Sequence, residues 1–396
     1  MRAKQSIIVG DPKQMPPSSF FESSDEEEES DSDEEESGIK AESVLDMALS
    51  SLPQSCLHWH YRSLHQTLIA PANSFSYNNE LILFPSPFRD TCQFGIIHQY
   101  VPDGTFVSQR NVAEANAVVD RLVELLLDSA GSDDPDKSPS IGVVSMNLHQ
   151  QETIHDLLHE RCRRDSTLAH LLHSQTDKRH QERLTIKNLE NFQGDQRDIM
   201  ILALTYGPET PGGTPKQRFT AIGGIDGHRR FNVLITRAKR RMEVFTSIRS
   251  DQITPSPNPD ALGRQHLKWF LKYCESRILP EVGTRTGREA DSPFEIEVRE
   301  VLRQAGYTVE NQVGVAGYFV DLGIVHPRDA SRFALGIECD GWMYHSTANA
   351  RDRDVQRQQI LEERGWTIHR IWSTDWFHNR GQTTAQLLAA VKHACR

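Results

Sequence analysis

Short apolar runs alternate with amphipathic stretches along most of this chain. Ile141-Gly142-Val143-Val144 and Ile199 to Leu204 are apolar runs of strand length, and Met242 to Thr246 reads as a further buried strand. Glu114 to Leu127 carries its apolar residues at helical spacing. Buried strands that alternate with helices predict a parallel α/β sheet over about residues 40–250. Ahead of it, Ser6-Ile7-Ile8-Val9 predicts a strand that breaks at Gly10-Asp11-Pro12. Gly131 to Pro139 predicts a polar loop, and a Pro/Ser/Asn-rich stretch at 250–260 a linker before an amphipathic helix at 261–276. After a second linker at about 280–291 the pattern changes. It predicts a helix at Phe294–Ala305 and strands at Tyr307–Val313, Tyr318–Val325 and Phe333–Asp340. A charged helix at Arg351–Arg364, a strand at Thr367–Trp372 and a helix at Thr383–His393 follow. No internal repeat is visible.

Composition changes this picture at one place. Of 396 residues, 55 are Asp or Glu and 44 Lys or Arg, a net charge of −11. Glu22 to Glu36 alone carries eleven carboxylates and no Lys or Arg. The segment can bury nothing and repels itself, so 22–37 is expected to be disordered. The remainder sums to zero and gives no strong bulk signal for nucleic acid. The cysteines, at 56, 92, 162, 274, 339 and 395, form no CxxC pair, so neither a zinc knuckle nor a disulfide framework is indicated. No apolar run approaches the roughly 20 residues of a membrane span. The N-terminus has no secretion signal, and a cytoplasmic location is expected.

Four segments carry the chemistry of the first 250 residues. Gly10-Asp11-Pro12-Lys13-Gln14 presents an acid and an amide at a strand's end, where α/β sheets bind ligands. Taken alone it could be any turn. Leu57-His58-Trp59-His60-Tyr61-Arg62-Ser63, Asn188 to Asp198 and Arg230-Phe231-Asn232-Val233-Leu234-Ile235-Thr236-Arg237-Ala238-Lys239 come later. In this order the four resemble motifs III to VI of superfamily 1 DNA helicases, nearest to large bacterial helicases related to the RNA-surveillance and replication helicases. The resemblance implies a RecA-like lobe in which Gln14, Arg62, Gln193, Gly194 and Arg237 face ATP. Gln14 would sense the phosphate, and Arg62 and Arg237 would neutralise charge that builds on it, work that suits the fixed charge of arginine. The plainer alternative for Arg237 is an ion pair with a surface carboxylate.

The chain departs from that family in two respects. It contains no GxxxxGK[ST] phosphate loop and no DE-type magnesium motif. It also has Gln196 where the family usually has Glu. Either the reading frame begins upstream, or this copy has decayed, or the missing lobe acts in trans. Helicase or ATPase activity is not expected from this chain alone.

The C-terminal stretch holds a different constellation. Asp321 lies within one expected strand, and Glu338 and Asp340 are two apart on the next, so both point to one face. Neighbouring antiparallel strands can bring the three together. Crowded carboxylates repel unless a divalent cation neutralises them, and oxygen ligands suit Mg²⁺ or Mn²⁺. The alternative is a solvated strand face with ordinary salt bridges. With Ser292-Pro293-Phe294-Glu295 and Gly341 to His345, the pattern resembles the PD-(D/E)XK nucleases, nearest to the very-short-patch mismatch-repair endonucleases. The resemblance implies metal ligation by Asp321, Glu338 and Asp340, support from Glu295 and an acid, base or phosphate-contact role for His345. It further implies DNA contacts by Trp342, Arg351, Arg353 and Arg357. Trp342 and Tyr344 could equally pack in the core, and Glu297 and Glu300 are read as exposed helix acids. Asp340 replaces the usual lysine, which leaves the base open.

The expectation is an α/β protein: a RecA-like parallel-sheet motor lobe followed by a restriction-endonuclease-like α/β domain. Residues 1–21 would end a first RecA-like lobe, 22–39 form the acidic insert, 40–250 the second lobe, 251–291 a linker with a helix, and 292–396 the nuclease-like domain. The function read from this is a Mg²⁺- or Mn²⁺-dependent DNA endonuclease on the C-terminal part of a helicase, in repair or defence. The alternative is a non-catalytic DNA-binding or assembly remnant. DNA is the expected partner, with a missing N-terminal helicase lobe or partner subunit as the second, and no membrane. ATP is expected as a cofactor only if the first lobe is supplied.

Overall fold

The computed structural model describes residues 7–15, 43–89, 93–130, 138–177, 183–192, 194–278, 292–315, 318–340 and 348–396. The core of the acidic insert, most of the 131–139 loop, Gln193 and residues 341–347 lie outside them. Helices α1 (Val44–Ser51) and α2 (Ala70–Ser76) precede β1 (Gly95–Tyr100) and the long α3 (Val112–Ala130). Then come β2 (Ile141–Ser145), α4 (Leu148–Arg164), α5 (Ser166–Thr176), β3 (Thr185–Asn188) and β4 (Arg197–Ala203). Helix α6 (Gly227–Ile235), β5 (Ala238–Thr246) and α7 (Gly263–Ser276) complete this part.

The five strands form one parallel sheet in the order β1-β5-β4-β2-β3. Both faces are covered, which is why the central strands β2 and β4 read as largely apolar runs. Ile199, Ile201 and Ala203 of β4 pack with α3, α4 and α5 residues such as Val118, Leu122 and Ile154. The alternate residues Met200 and Leu202 face Phe231 and Leu234 of α6 and Leu267 and Phe270 of α7. Helices α6 and α7 meet through Gly227 and Gly263, where any side chain would overlap the Ile222 carbonyl. Ile7–Gly10 forms no strand, contrary to the expectation from Ser6–Val9. No β-pairing is made to it among the described residues, and Ile7 and Val9 stay exposed, so the apolar pattern has no sheet to join.

The second sheet is mixed. Helix α8 (Pro293–Gln304) precedes β6 (Val309–Val315), β7 (Tyr318–His326) and β8 (Asp329–Asp340). Helix α9 (Ala348–Glu363), β9 (Ile368–Trp372), α10 (Ser373–His378) and α11 (Arg380–Ala394) follow. The order is β6-β7-β8-β9, antiparallel up to β8 and parallel between β8 and β9. One face carries Leu322, Ile324, Leu335 and Ile337 against Phe294, Val298, Trp376 and Leu387 of α8, α10 and α11. Glu297, expected as an exposed acid, instead accepts from Trp376 Nε1 at 3.2 Å and pairs with Arg380 at 3.0 Å, tying α8 to α10 and α11. Glu300 is exposed beside Arg299 and Arg303. No helix of the described residues is long and apolar enough to cross a membrane.

Residues 84–89 join the two sheets. Phe333 N–H donates to Pro87 O and Arg89 N–H to Ser331 O, each at 2.8 Å, so this segment extends the outer end of β8. Trp366 Nε1 donates to Pro85 O at 2.9 Å. Arg364 donates to the His60 and Ser63 carbonyls at 2.9 and 3.2 Å.

Candidate functional site

Two polar clusters stand out, one at each sheet. In the first, the Asp11–Gln14 turn reaches Arg237 at the start of β5. Asp11 Oδ1 accepts from Lys13 N–H, and Oδ2 from Gln14 Nε2 at 2.9 Å and the Tyr77 hydroxyl at 2.7 Å. Asn232 on α6 donates to Lys13 O and the Tyr77 oxygen, fixing the turn against the lobe. Gln14 Oε1 then accepts from Arg237 Nη2 at 3.0 Å. Arg237 is 4% exposed and donates from Nε to Val233 O at 3.0 Å. Arg62 donates from Nη1 to Thr236 O at 3.1 Å, one residue away.

Burial first, and then the Arg62 charge, push the Arg237 guanidinium down to about 10. Asp11 and Asp195 oppose this shift, and the two guanidiniums, hydrogen-bonded to carbonyls and an amide, form a site suited to an anion such as phosphate. The structure thus brings together Gln14, Arg62 and Arg237 of the five residues expected to face ATP. Gln193 lies outside the described residues. Gly194 occupies a turn at φ 88°, a left-handed conformation that glycine adopts without strain. Tyr77 and Asn232 were missed as site residues. Asn232 stood in the quoted Arg230–Lys239 segment, whereas nothing in the sequence marked Tyr77.

The second cluster lies on the face of the mixed sheet opposite Leu322 and Ile337. The β7/β8 register, Leu322 to Ile337, carried one residue further sets Asp321 across from Glu338. The Asp321 carboxylate takes over the ladder there, with Oδ2 accepting from Cys339 N–H at 2.7 Å. Gln312, at φ 51° where the β6/β7 pairing skips a residue, donates to Glu295 Oε2 at 2.9 Å. Glu295 sits in the first turn of α8, capped by Ser292.

Burial pushes Asp321 up to about 6, with Glu295 and Asp340 raising it further and the Cys339 amide and Arg357 opposing. Burial likewise raises Glu338, 6% exposed, to about 7, with Arg357 opposing and Asp321 and Asp340 adding. The Cys339 thiol is raised by burial and by all four carboxylates. The acids therefore share one electrostatic neighbourhood.

Guanidinium groups stand among them. Arg357 Nη2 lies 3.2 and 3.4 Å from the two Glu338 oxygens, and Arg370 Nε 3.1 Å from Asp340. Arg357, expected on DNA phosphates, is thus placed against a carboxylate. Among the described residues no three His, Cys, Asp or Glu side chains are arranged to hold a metal ion. Asp321 and Glu338 adjoin, but Asp340 turns to Arg370, so the expected trio is not assembled as ligands. Trp342 and His345 lie outside the described residues, as do the side chains of Arg351 and Arg353. Gln312 and Arg370 were missed. Their one sequence signal was position, since both fall on the cross-strand row of Asp321 and Glu338.

The donor set fits a hard divalent cation, because oxygen donors whose mutual repulsion raises their proton affinity gain from one. Two arginines fill the counter-ion's place in this arrangement.

Comparison with known proteins agrees with this division. Residues 294–391 match the restriction-endonuclease-type family model REase_MTES_1575. An uncharacterized ATP-dependent helicase of Mycoplasma pneumoniae is 28% identical over 99% of this chain and 35% of its own length. Its Mycoplasma genitalium counterpart is 29% identical over 95% of this chain and 33% of its own length. The chain thus spans about a third of the curated relatives it matches. The C-terminal domain of a possible DNA helicase from Lactobacillus plantarum aligns at 13% identity, covering 52% of this chain and 96% of that domain, with a TM-score of 0.25, too low to bear on the fold. A helicase-like lobe therefore precedes a restriction-endonuclease-like domain. With residues 40–249 matched, more than half of its length, the chain belongs to the AAA_12 family of AAA domains.

Proposed function

We propose that this chain is the C-terminal part of a superfamily 1 DNA helicase whose endonuclease domain hydrolyses DNA phosphodiester bonds with Mg²⁺ or Mn²⁺. The observation that carries the reading is the buried pairing of Asp321 with Glu338 across β7 and β8, with Asp340 close enough to add to the proton affinity of both and Glu295 to that of Asp321. Asp321 and Glu338 would hold the cation, with Asp340 joining on release from Arg370. A bound cation polarises a phosphate and activates water. Glu295, held by Gln312 and Ser292, maintains the negative field behind Asp321. His345, Trp342, Arg351 and Arg353 remain proposed contacts to the scissile region and the DNA backbone. In the motor half, Gln14, Arg62 and Arg237 would face the nucleotide once a lobe with a phosphate loop completes the site, with Gln193 and Gly194 at the seam of nucleotide and nucleic acid.

One observation favours a second reading, a DNA-binding remnant. The arginines already neutralise Glu338 and Asp340, so the cluster is stable as a salt-bridged strand face. Nicking of supercoiled plasmid with Mn²⁺ and no ATP separates the two. Metal-dependent nicking that falls at least ~100-fold in Asp321→Ala supports the nuclease, since the substitution removes the central ligand. Equal activity in the variant and the parent would sink it.

A further inference from the structure

Arg357 connects the two halves. Its Nη2 donates to Phe319 O at 2.5 Å and to Glu338, while its guanidinium lies 4.5 Å over the Tyr318 ring. Tyr318 meets Phe84 of the motor lobe edge-on at 4.7 Å. Phe84 is buried, touches Trp59 at 5.7 Å and lies under Arg364, which also holds the His60 and Ser63 carbonyls. Between those two carbonyls runs the backbone of Arg62, whose guanidinium is part of the anion site. An unbroken series of contacts therefore runs from Arg62 through Phe84, Tyr318 and Arg357 to Glu338.

The geometry points to a guanidinium latch: Arg357, steadied by Phe84 of the motor lobe through Tyr318, occupies Glu338 and keeps a divalent cation out until that contact shifts. This rests on the nuclease reading above. A cation approaching Glu338 must compete with Arg357 for the same carboxylate oxygens and feels its positive charge at close range. Either effect weakens metal binding. The holds on Arg357 include the Glu338 carboxylate, the Phe319 carbonyl and the Tyr318 ring, and the last of these depends on Phe84. A displacement of the 57–63 segment, which carries Arg62, reaches Phe84 directly. Occupancy of the anion site is thereby tied to access at the carboxylates. The contacts supply a route, and a measured coupling is what would make it allosteric.

The test is Mn²⁺ binding by calorimetry on the full chain without DNA, in wild type, Asp321→Ala, Arg357→Gln, Arg357→Lys and Phe84→Leu. Arg357→Gln keeps polarity but removes the charge and shortens the side chain, and should bind Mn²⁺ roughly tenfold or more tightly. Arg357→Lys should stay within a few-fold of wild type. Phe84→Leu, checked for folding by circular dichroism, should tighten binding several-fold although it touches no carboxylate. Unchanged or weaker binding in Arg357→Gln, with wild-type binding abolished by Asp321→Ala, overturns the latch and leaves the nuclease reading intact. Absence of any Asp321-dependent binding in both wild type and Arg357→Gln overturns both.

Discussion

The anion site and the carboxylate row are opposite solutions to burying charge. At the anion site, Arg62 and Arg237 are neighbours held by Thr236 O, Val233 O and the Gln14 amide, none of which carries charge. At the row, Glu338 and Asp340 are matched by Arg357 and Arg370. The first arrangement sets Arg237 in the combined fields of Arg62, Asp11 and Asp195 and stays suited to a phosphate, and the second pairs two of its four carboxylates with arginine. Uncompensated burial is costly to a fold and persists where a ligand or a partner completes the site. On the proposed reading, the motor half awaits a nucleotide and a completing lobe, while the carboxylate row must release Arg357 and Arg370 to bind a cation.

The largest expected effect tests the first half of that comparison. In a protein that includes a preceding lobe with a phosphate loop, Arg237→Ala should lower steady-state ATP hydrolysis by about 10³-fold, the scale of an arginine that neutralises a transferring phosphoryl group. The same substitution should leave Mn²⁺ binding at the carboxylates unchanged. A loss under tenfold in phosphate-release assays would mean that Arg237 serves the fold and not the nucleotide.

Next in size is a buried ion cluster of the motor lobe that follows the compensating scheme. Glu243 on β5 has no exposed surface and pairs with Arg121 at 2.8 Å and Arg241 at 2.9 Å. Removing one partner of a buried pair strands the other, at about 3–5 kcal/mol. Glu243→Gln removes the buried carboxylate that Arg121 and Arg241 share, although Arg121 keeps Glu124 at 2.7 Å, and should lower the denaturation free energy by about 3 kcal/mol in urea titrations. A change below 1 kcal/mol would show that solvent reaches these arginines and that burying Arg237 beside Arg62 is equally inexpensive.

How much of this was legible in the sequence follows from how local each signal is. The strands β2, β4 and β5 announce themselves because both faces of each are buried. Strands β1 and β3 do not: Gly95–Tyr100 mixes His98 and Gln99 into its run, and Thr185–Asn188 is short and polar. Both lie at sheet edges, where pairing to β5 and β2 matters more than local composition. Likewise α4, rich in His, Gln and Arg, lacks a strong apolar stripe and folds through Ile154 and Leu158 packing under the sheet. At the sites, Gln14, Arg62 and Arg237 could be picked out, but Tyr77, which ties Asp11 to Asn232, could not. The two-apart spacing of Glu338 and Asp340 gave their shared face. That α9 would return Arg357 to Glu338, and β9 bring Arg370 to Asp340, depends on tertiary packing that no spacing encodes.

The smallest effect concerns a buried acid with no arginine paired to it. Glu114 on α3 is fully buried, and its Oε1 accepts the Thr205 N–H at 2.5 Å. Burial raises it to about 8, against the opposing pull of Thr205 and Ser247 hydrogen bonds. The unfolded chain ionises this group near its ordinary 4.5, whereas the folded protein keeps the proton until about 8. The folded state therefore binds more protons across that window, and stability falls as pH rises through it. Glu114→Gln cannot ionise, so its melting temperature relative to the parent should climb with pH. The expectation is little difference near pH 4.5 and a gain of ~5 °C near pH 8.5, the scale of one or two kcal/mol in a domain of this size. A parallel shift at all pH values would mean that Glu114 is ionised in the folded protein and that the lobe supplies a counter-charge through its hydrogen bonds alone.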